Sequence, residues 1–146
     1  MESSCDPLLL ENQLCFPLYA ASKALIRRYE PYLSPLDLTY TQYIVLMVLW
    51  EKQDISVQEL GERVHLDSGT LSPLLKKLLQ KELIVKSKGD DGRYCFISLT
   101  SKGFELKEKC SEIPAKIGSC LNLSPEEALL LYQLCYKTLR SVENHG

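Results

Sequence analysis

The chain has 146 residues, 45% apolar and 25% charged, with a formal net charge of −2. That length supports one ordinary domain whose core needs no disulfide or metal, and the composition excludes global disorder. No apolar run reaches the roughly 18–20 residues of a membrane span, and the leucines near the N-terminus follow no basic stretch of a signal peptide, so a cytoplasmic location is expected.

Apolar residues recur at helical spacing from Leu8 to Tyr29, predicting a first helix that Pro31 and Pro35 end. Thr39, Tyr40 and Thr41 open a second helix through Trp50, apolar on most sides. Ser56-Val57-Gln58-Glu59 has capping-box spacing and starts a short helix to about Val64. A turn at 65–68 leads into a helix carrying Leu71, Leu74, Leu75, Leu78 and Leu79. The segments 83–87 and 93–99, joined by Gly89-Asp90-Asp91-Gly92, have the signature of a β-hairpin. Thr100 is placed to cap a helix through Cys110, and Pro114 bends or interrupts the next segment. Ser124-Pro125-Glu126-Glu127 starts the last helix.

A short helix, a tight turn, a second helix and an immediate hairpin make a winged helix-turn-helix. The expected class is therefore mainly α with a small β-hairpin wing (α+β). One domain spans 1–146, with the DNA-binding lobe over 40–100 and dimerisation helices over 6–36 and 101–146. Those terminal helices carry apolar stripes with no sheet to cover, so they pair with each other and with a second copy. A generic α-rich domain with a purely structural hairpin is the plain alternative.

The charge is unevenly placed. Residues 68–88 hold Lys76, Lys77, Lys81, Lys86 and Lys88 against Glu82 alone, a local +4, so the rest of the chain sums to −6. A basic segment in an acidic protein attracts phosphate locally without general adhesion to polyanions. Ser68, Thr70 and Ser72 at the start of the fourth helix are candidates to reach base edges, and free N–H groups there suit phosphate. Simple capping explains Ser68-Gly69-Thr70 equally well. Lys76, Lys77 and Lys88 are the expected phosphate contacts. Arg93 near the wing tip fits a narrow minor groove, with Asp91 orienting it.

Six cysteines, at 5, 15, 95, 110, 120 and 135, are never closer than ten residues. No C-x-x-C or C-x-x-H pattern is present, and His65 and His145 are the only histidines. A zinc site, a thioredoxin-type motif and a Ser-His-Asp triad are therefore not expected, and no cofactor is called for. Most of the cysteines are expected to be reduced, small core residues.

Leu60-Gly61-Glu62, the run from Leu66-Asp67-Ser68-Gly69-Thr70-Leu71 to Leu78, and Asp91-Gly92-Arg93 with Ile97-Ser98-Leu99-Thr100 resemble the MarR family of winged-helix repressors. Gln13-Leu14-Cys15-Phe16, Tyr19, Tyr29 and Leu38-Thr39-Tyr40-Thr41-Gln42-Tyr43 resemble its OhrR/SarZ-type branch of organic hydroperoxide sensors, and the likeness runs over about residues 8–140. It implies a homodimer on a pseudo-palindromic operator in double-stranded DNA, with one recognition helix per subunit in the major groove and the wing at the flanking minor groove. It also implies that organic hydroperoxide oxidises Cys15 to a sulfenic acid, after which DNA is released. Tyr29 and Tyr40 of the other subunit would hydrogen-bond the sulfur.

On residue chemistry alone, a cysteine on an apolar helix stripe is ordinarily inert packing, whereas a sensor needs thiolate character and peroxide access. Fourteen residues of helix put Tyr29 on nearly the same face as Cys15 but about 21 Å away. The two cannot meet within one helix but can meet if two copies of it run antiparallel across a dimer axis. Pro17 departs from the family pattern, so either the helix kinks there or Pro17 falls in its first turn; we expect it to alter the amide environment of Cys15. Pro73 is likewise best tolerated in a first turn. After sulfenic acid, the resemblance leaves two routes: a disulfide through a resolving cysteine near Cys120, or capture by a low-molecular-weight thiol. Two other readings remain: a regulator of the same fold switched by a small aromatic ligand in the dimer crevice, and a thiol peroxidase.

Overall fold

The computed structural model describes residues 6–89 and 95–145. It divides into two compact units, one ending at Ile113 and one starting at Pro114. In chain order the helices are α1 (Cys15–Leu33), α2 (Tyr40–Glu51), α3 (Val57–Val64), α4 (Ser68–Gln80), α5 (Ser101–Cys110), α6 (Ile113–Cys120) and α7 (Pro125–His145). The strands are β1 (Ile55–Ser56), β2 (Ile84–Lys88) and β3 (Cys95–Leu99).

The hairpin is one strand short of the observed sheet. β1 joins it, giving the order β1-β3-β2, antiparallel throughout, with Ile55 opposite Ile97 and Ile84 opposite Leu99. Ile55 and Ile97 are fully buried, so the sheet closes over the same core as Leu46, Leu49, Leu60 and Leu78. The turn between β2 and β3 lies outside the described residues.

Local chemistry sets the helix starts. Thr39 caps α2 in a full capping box with Gln42. Ser56 caps α3 by accepting from the Glu59 amide, but the Glu59 carboxylate does not close the box, because it pairs with Lys52 at 2.7 Å. Thr100 caps α5 as expected, and Ser124 and Glu127 exchange both bonds of a capping box at α7.

Two prolines correct the expected boundaries. α1 starts at Cys15, not Leu8; a single 3-10 turn at Leu10–Asn12 precedes it. It also runs past Pro31 to Leu33, since a proline in the last turn gives up one N–H bond without ending the helix. Pro17 falls in the first turn, where a missing N–H costs nothing. Pro73, by contrast, lies in the interior of α4, beyond its first turn.

The α3–α4 turn is tight. His65 adopts a left-handed conformation (φ 55°) and donates its amide to the Gly61 carbonyl, ending α3. A Cβ at Gly61 would lie 3.0 Å from the Leu66 carbonyl oxygen, which makes glycine the fitting residue there.

Candidate DNA-reading and redox site

α4 divides cleanly by face. Leu71, Leu74, Leu75 and Leu78 are buried, while Ser68, Thr70, Ser72, Lys76 and Lys77 are exposed. Asp67, not Ser68, is the N-cap: its carboxylate accepts from the Thr70 amide at 2.8 Å. These bonds, joined by the Thr70 hydroxyl and the Gly69 amide, hold the Asp67 carboxyl below the usual carboxylate range. The capping explanation therefore accounts for Thr70 but leaves Ser68 and Ser72 facing outward. Lys88 is exposed at the end of β2, on the hairpin that follows α4. Asp91 and Arg93, expected at the wing tip, lie outside the described residues.

Lys81 corrects the charge count. It follows α4, and its ammonium turns away from the reading face to the Asp37 carbonyl, to Gln42 Oε1 at 2.9 Å and to the Asp37 carboxylate at 3.6 Å. Lys76, Lys77, Lys86 and Lys88 stay exposed.

Cys15 is the first residue of α1 and is exposed, not packed in a core. Leu14, Phe16, Leu18 and Tyr19 around it are exposed as well. Lys23 donates to the Tyr19 hydroxyl at 3.1 Å one turn further along. The expectation that most cysteines are core residues fails: of the five described, Cys95, Cys120 and Cys135 are exposed like Cys15, and only Cys110 is buried. Burial pushes the Cys110 thiol up. Cys120 ends α6 with its thiol directed at the Lys116 carbonyl.

Toward the far end of α1, the Tyr29 ring packs against that of Tyr40 of α2 in a tilted arrangement, with ring centroids 4.8 Å apart and 55° between the planes. Tyr43 adds a third ring, 5.8 Å from Tyr29 and 6.3 Å from Tyr40. Burial pushes all three phenols up; for Tyr43 it acts with Tyr29, Cys110 and Tyr40 and carries the value to about 12. Tyr29 and Tyr40 line a cavity of about 380 Å³ together with Leu33, Asp37 and Lys81. The structure thus brings Tyr29 and Tyr40 together within one chain. It keeps both at the opposite end of the 19-residue α1 from Cys15. The sequence does not single out Lys81 or Gln42: Lys81 is one lysine of a basic segment, and nothing marks a glutamine as shared between a helix cap and a lysine.

Comparison with known proteins decides the family. Residues 27–110 match the family described as transcriptional regulator SarA/Rot. The chain belongs to that family. It is 45% identical to the organic hydroperoxide resistance transcriptional regulator of Bacillus subtilis (strain 168) over 135 residues, 92% of this chain and 90% of the relative. It is 47% identical to the HTH-type transcriptional regulator SarZ of Staphylococcus aureus (strain USA300) over 120 residues, 82% of this chain and 81% of SarZ. The structure of reduced AbfR bound to DNA superimposes with a TM-score of 0.76 at 33% identity, covering 91% of this chain and 93% of that one. The chain is a MarR-like winged-helix protein and a redox-sensing transcriptional regulator; its relatives are regulators, not enzymes.

Proposed function

We propose that this regulator is a homodimer that occupies a pseudo-palindromic operator and releases it when organic hydroperoxide oxidises Cys15. The carrying observation is the placement of Cys15 and Tyr29 fourteen residues apart on α1, about 21 Å along the axis, with Tyr40 of α2 beside Tyr29. Two α1 helices crossing antiparallel bring the thiol of one copy to Tyr29 and Tyr40 of the other. The exposed apolar side chains around Cys15 support burial in such a contact.

The Cys15 thiolate attacks the outer oxygen of the hydroperoxide. The S–O bond forms as the O–O bond breaks, and the leaving alkoxide takes up a proton and departs as an alcohol. The sulfur loses two electrons and the peroxide gains them. Phenol hydroxyls held protonated by burial can donate hydrogen bonds to the sulfur before and after the step. Oxidation at a subunit boundary then tilts the DNA-binding lobes, so α4 with Ser68, Thr70, Ser72, Lys76 and Lys77, and the wing with Lys88, Asp91 and Arg93, lose their joint fit. Cys120, exposed at the end of α6, and a low-molecular-weight thiol are the two partners open to the sulfenic acid. Action on DNA and recycling by a reducing thiol pool fit a cytoplasmic location.

Gel shifts on the DNA upstream of its own gene, with and without cumene hydroperoxide, test the reading. Wild type should lose its complex on oxidation, and Cys15→Ser should bind DNA but ignore the peroxide. A Cys15→Ser protein that still releases DNA on oxidation would overturn the assignment. The cavity beside Tyr29 and Tyr40 supports a second reading, a small aromatic ligand as inducer. That reading gains only if such a ligand releases DNA from Cys15→Ser.

A further inference from the structure

The side chain of Lys81 joins the end of α4 to the turn between Tyr29 of α1 and Tyr40 of α2. Its stem is largely buried, with 24% of the side chain exposed. Its ammonium has three protons, and three acceptors face it: the Asp37 carbonyl, Gln42 Oε1 and the Asp37 carboxylate. Both partners occupy positions that are themselves fixed. Asp37 has a left-handed backbone (φ 55°) where the 3-10 turn Ser34–Leu36 ends. Gln42 is 3% exposed, and its Oε1 also accepts from the Thr39 amide as half of the α2 capping box.

The same oxygen therefore serves the first turn of α2 and the end of α4. Tyr40 is the first residue of α2, and Lys81 lines the cavity that holds Tyr29 and Tyr40. On the other side, Lys81 follows the last turn of α4, donating its own amide to the Lys77 carbonyl, while its carbonyl accepts from Lys102 of α5. A partly buried ammonium keeps its acceptors because losing them leaves an unpaired charge. Any displacement of the α2 start with Tyr40 would therefore have to carry the end of α4 along through Lys81 or break this set.

We propose that Lys81 is a positioning residue that couples the tyrosine cavity to the recognition helix, so that a change at Tyr29 and Tyr40 resets how α4 meets DNA. It deepens the proposed redox function and rests on it for the physiological signal.

Operator affinity is measured for wild type, Lys81→Met and Lys77→Met, each reduced and after one equivalent of cumene hydroperoxide. Lys81→Met keeps the stem and removes the donors. We expect it to shrink the ratio of oxidised to reduced dissociation constants at least fivefold, with the rate of dimedone labelling at Cys15 within twofold of wild type. Lys77→Met, a loss of one exposed charge, should weaken both states equally and keep the ratio. A wild-type ratio in Lys81→Met overturns the proposal, as does a lost ratio traced to slower labelling. If wild type itself shows no Cys15-dependent ratio, the redox reading fails, and amide exchange judges Lys81 separately. Operator DNA should then slow exchange at Gln42 and Tyr43 at least threefold in wild type and not in Lys81→Met. No slowing in wild type, or the same slowing in both, overturns the coupling. If the methionine variant does not fold, Lys81→Gln, with its shorter reach, replaces it under the same criteria.

Discussion

Among the aromatic residues, Tyr43 is the one whose chemistry the environment changes most. It is buried between Tyr29, Tyr40 and Cys110, and its phenol is pushed up to about 12. The folded-state value lies above the ordinary phenol value near 10, so the folded chain binds the proton more tightly than the unfolded one. The stability tied to that proton is fully present below about pH 10 and drains away as pH rises toward about 12. Thermal unfolding of wild type and Tyr43→Phe at pH 8 and pH 11 checks this. The phenylalanine variant should lose less melting temperature between the two pH values than wild type does. Equal losses would place the alkaline sensitivity elsewhere. Tyr29 and Tyr40 shift the same way through burial, so their substitution should act in the same direction.

The two-residue strand β1 shows what a sequence carries and what it hides at the level of elements. Period and capping chemistry made the helices legible: α2, α3, α5 and α7 start where Thr39, Ser56, Thr100 and Ser124 predict. β1 is too short to show alternation, and Ile55 reads as one apolar residue before a cap. Its role comes from pairing with Ile97, some forty residues away. Ile55 is fully buried, so Ile55→Ala should cost about 2–5 kcal/mol, as for other large-to-small core changes. Urea unfolding at neutral pH measures it, and a loss below about 1 kcal/mol, typical of a loop site, would contradict the strand's share in the core. Among the site residues, Cys15, Tyr29 and Tyr40 were legible from a motif. Lys81 and Gln42 were not, because their link joins residues 39 positions apart and neither side chain advertises it.

At the scale of the whole molecule, uncovered apolar surface is the strongest argument for a second copy. Helix α7 has no buried residue, yet Leu129, Leu130, Leu131, Tyr132, Leu134 and Val142 are about half or more exposed. Leu14 and Leu18 of the α1 region are equally uncovered. Apolar side chains exposed in this number are what the proposed second copy would cover. Leu130 and Leu134 stand one turn apart on α7, so aspartate at both puts two charges into any contact that face makes. The double variant Leu130→Asp/Leu134→Asp should sediment as a monomer under conditions where wild type sediments as a dimer. It should also bind the operator at least a hundredfold more weakly, because a single α4 reads one half-site and loses the second helix held one turn of DNA away. A dimeric double variant with unchanged affinity would remove α7 from the interface. A monomeric variant with full affinity would remove the need for two recognition helices. Lys76→Ala is the control for the affinity arm. It should weaken binding and flatten its salt dependence without changing sedimentation, since the proposed reading gives its exposed ammonium to phosphate and not to a second subunit.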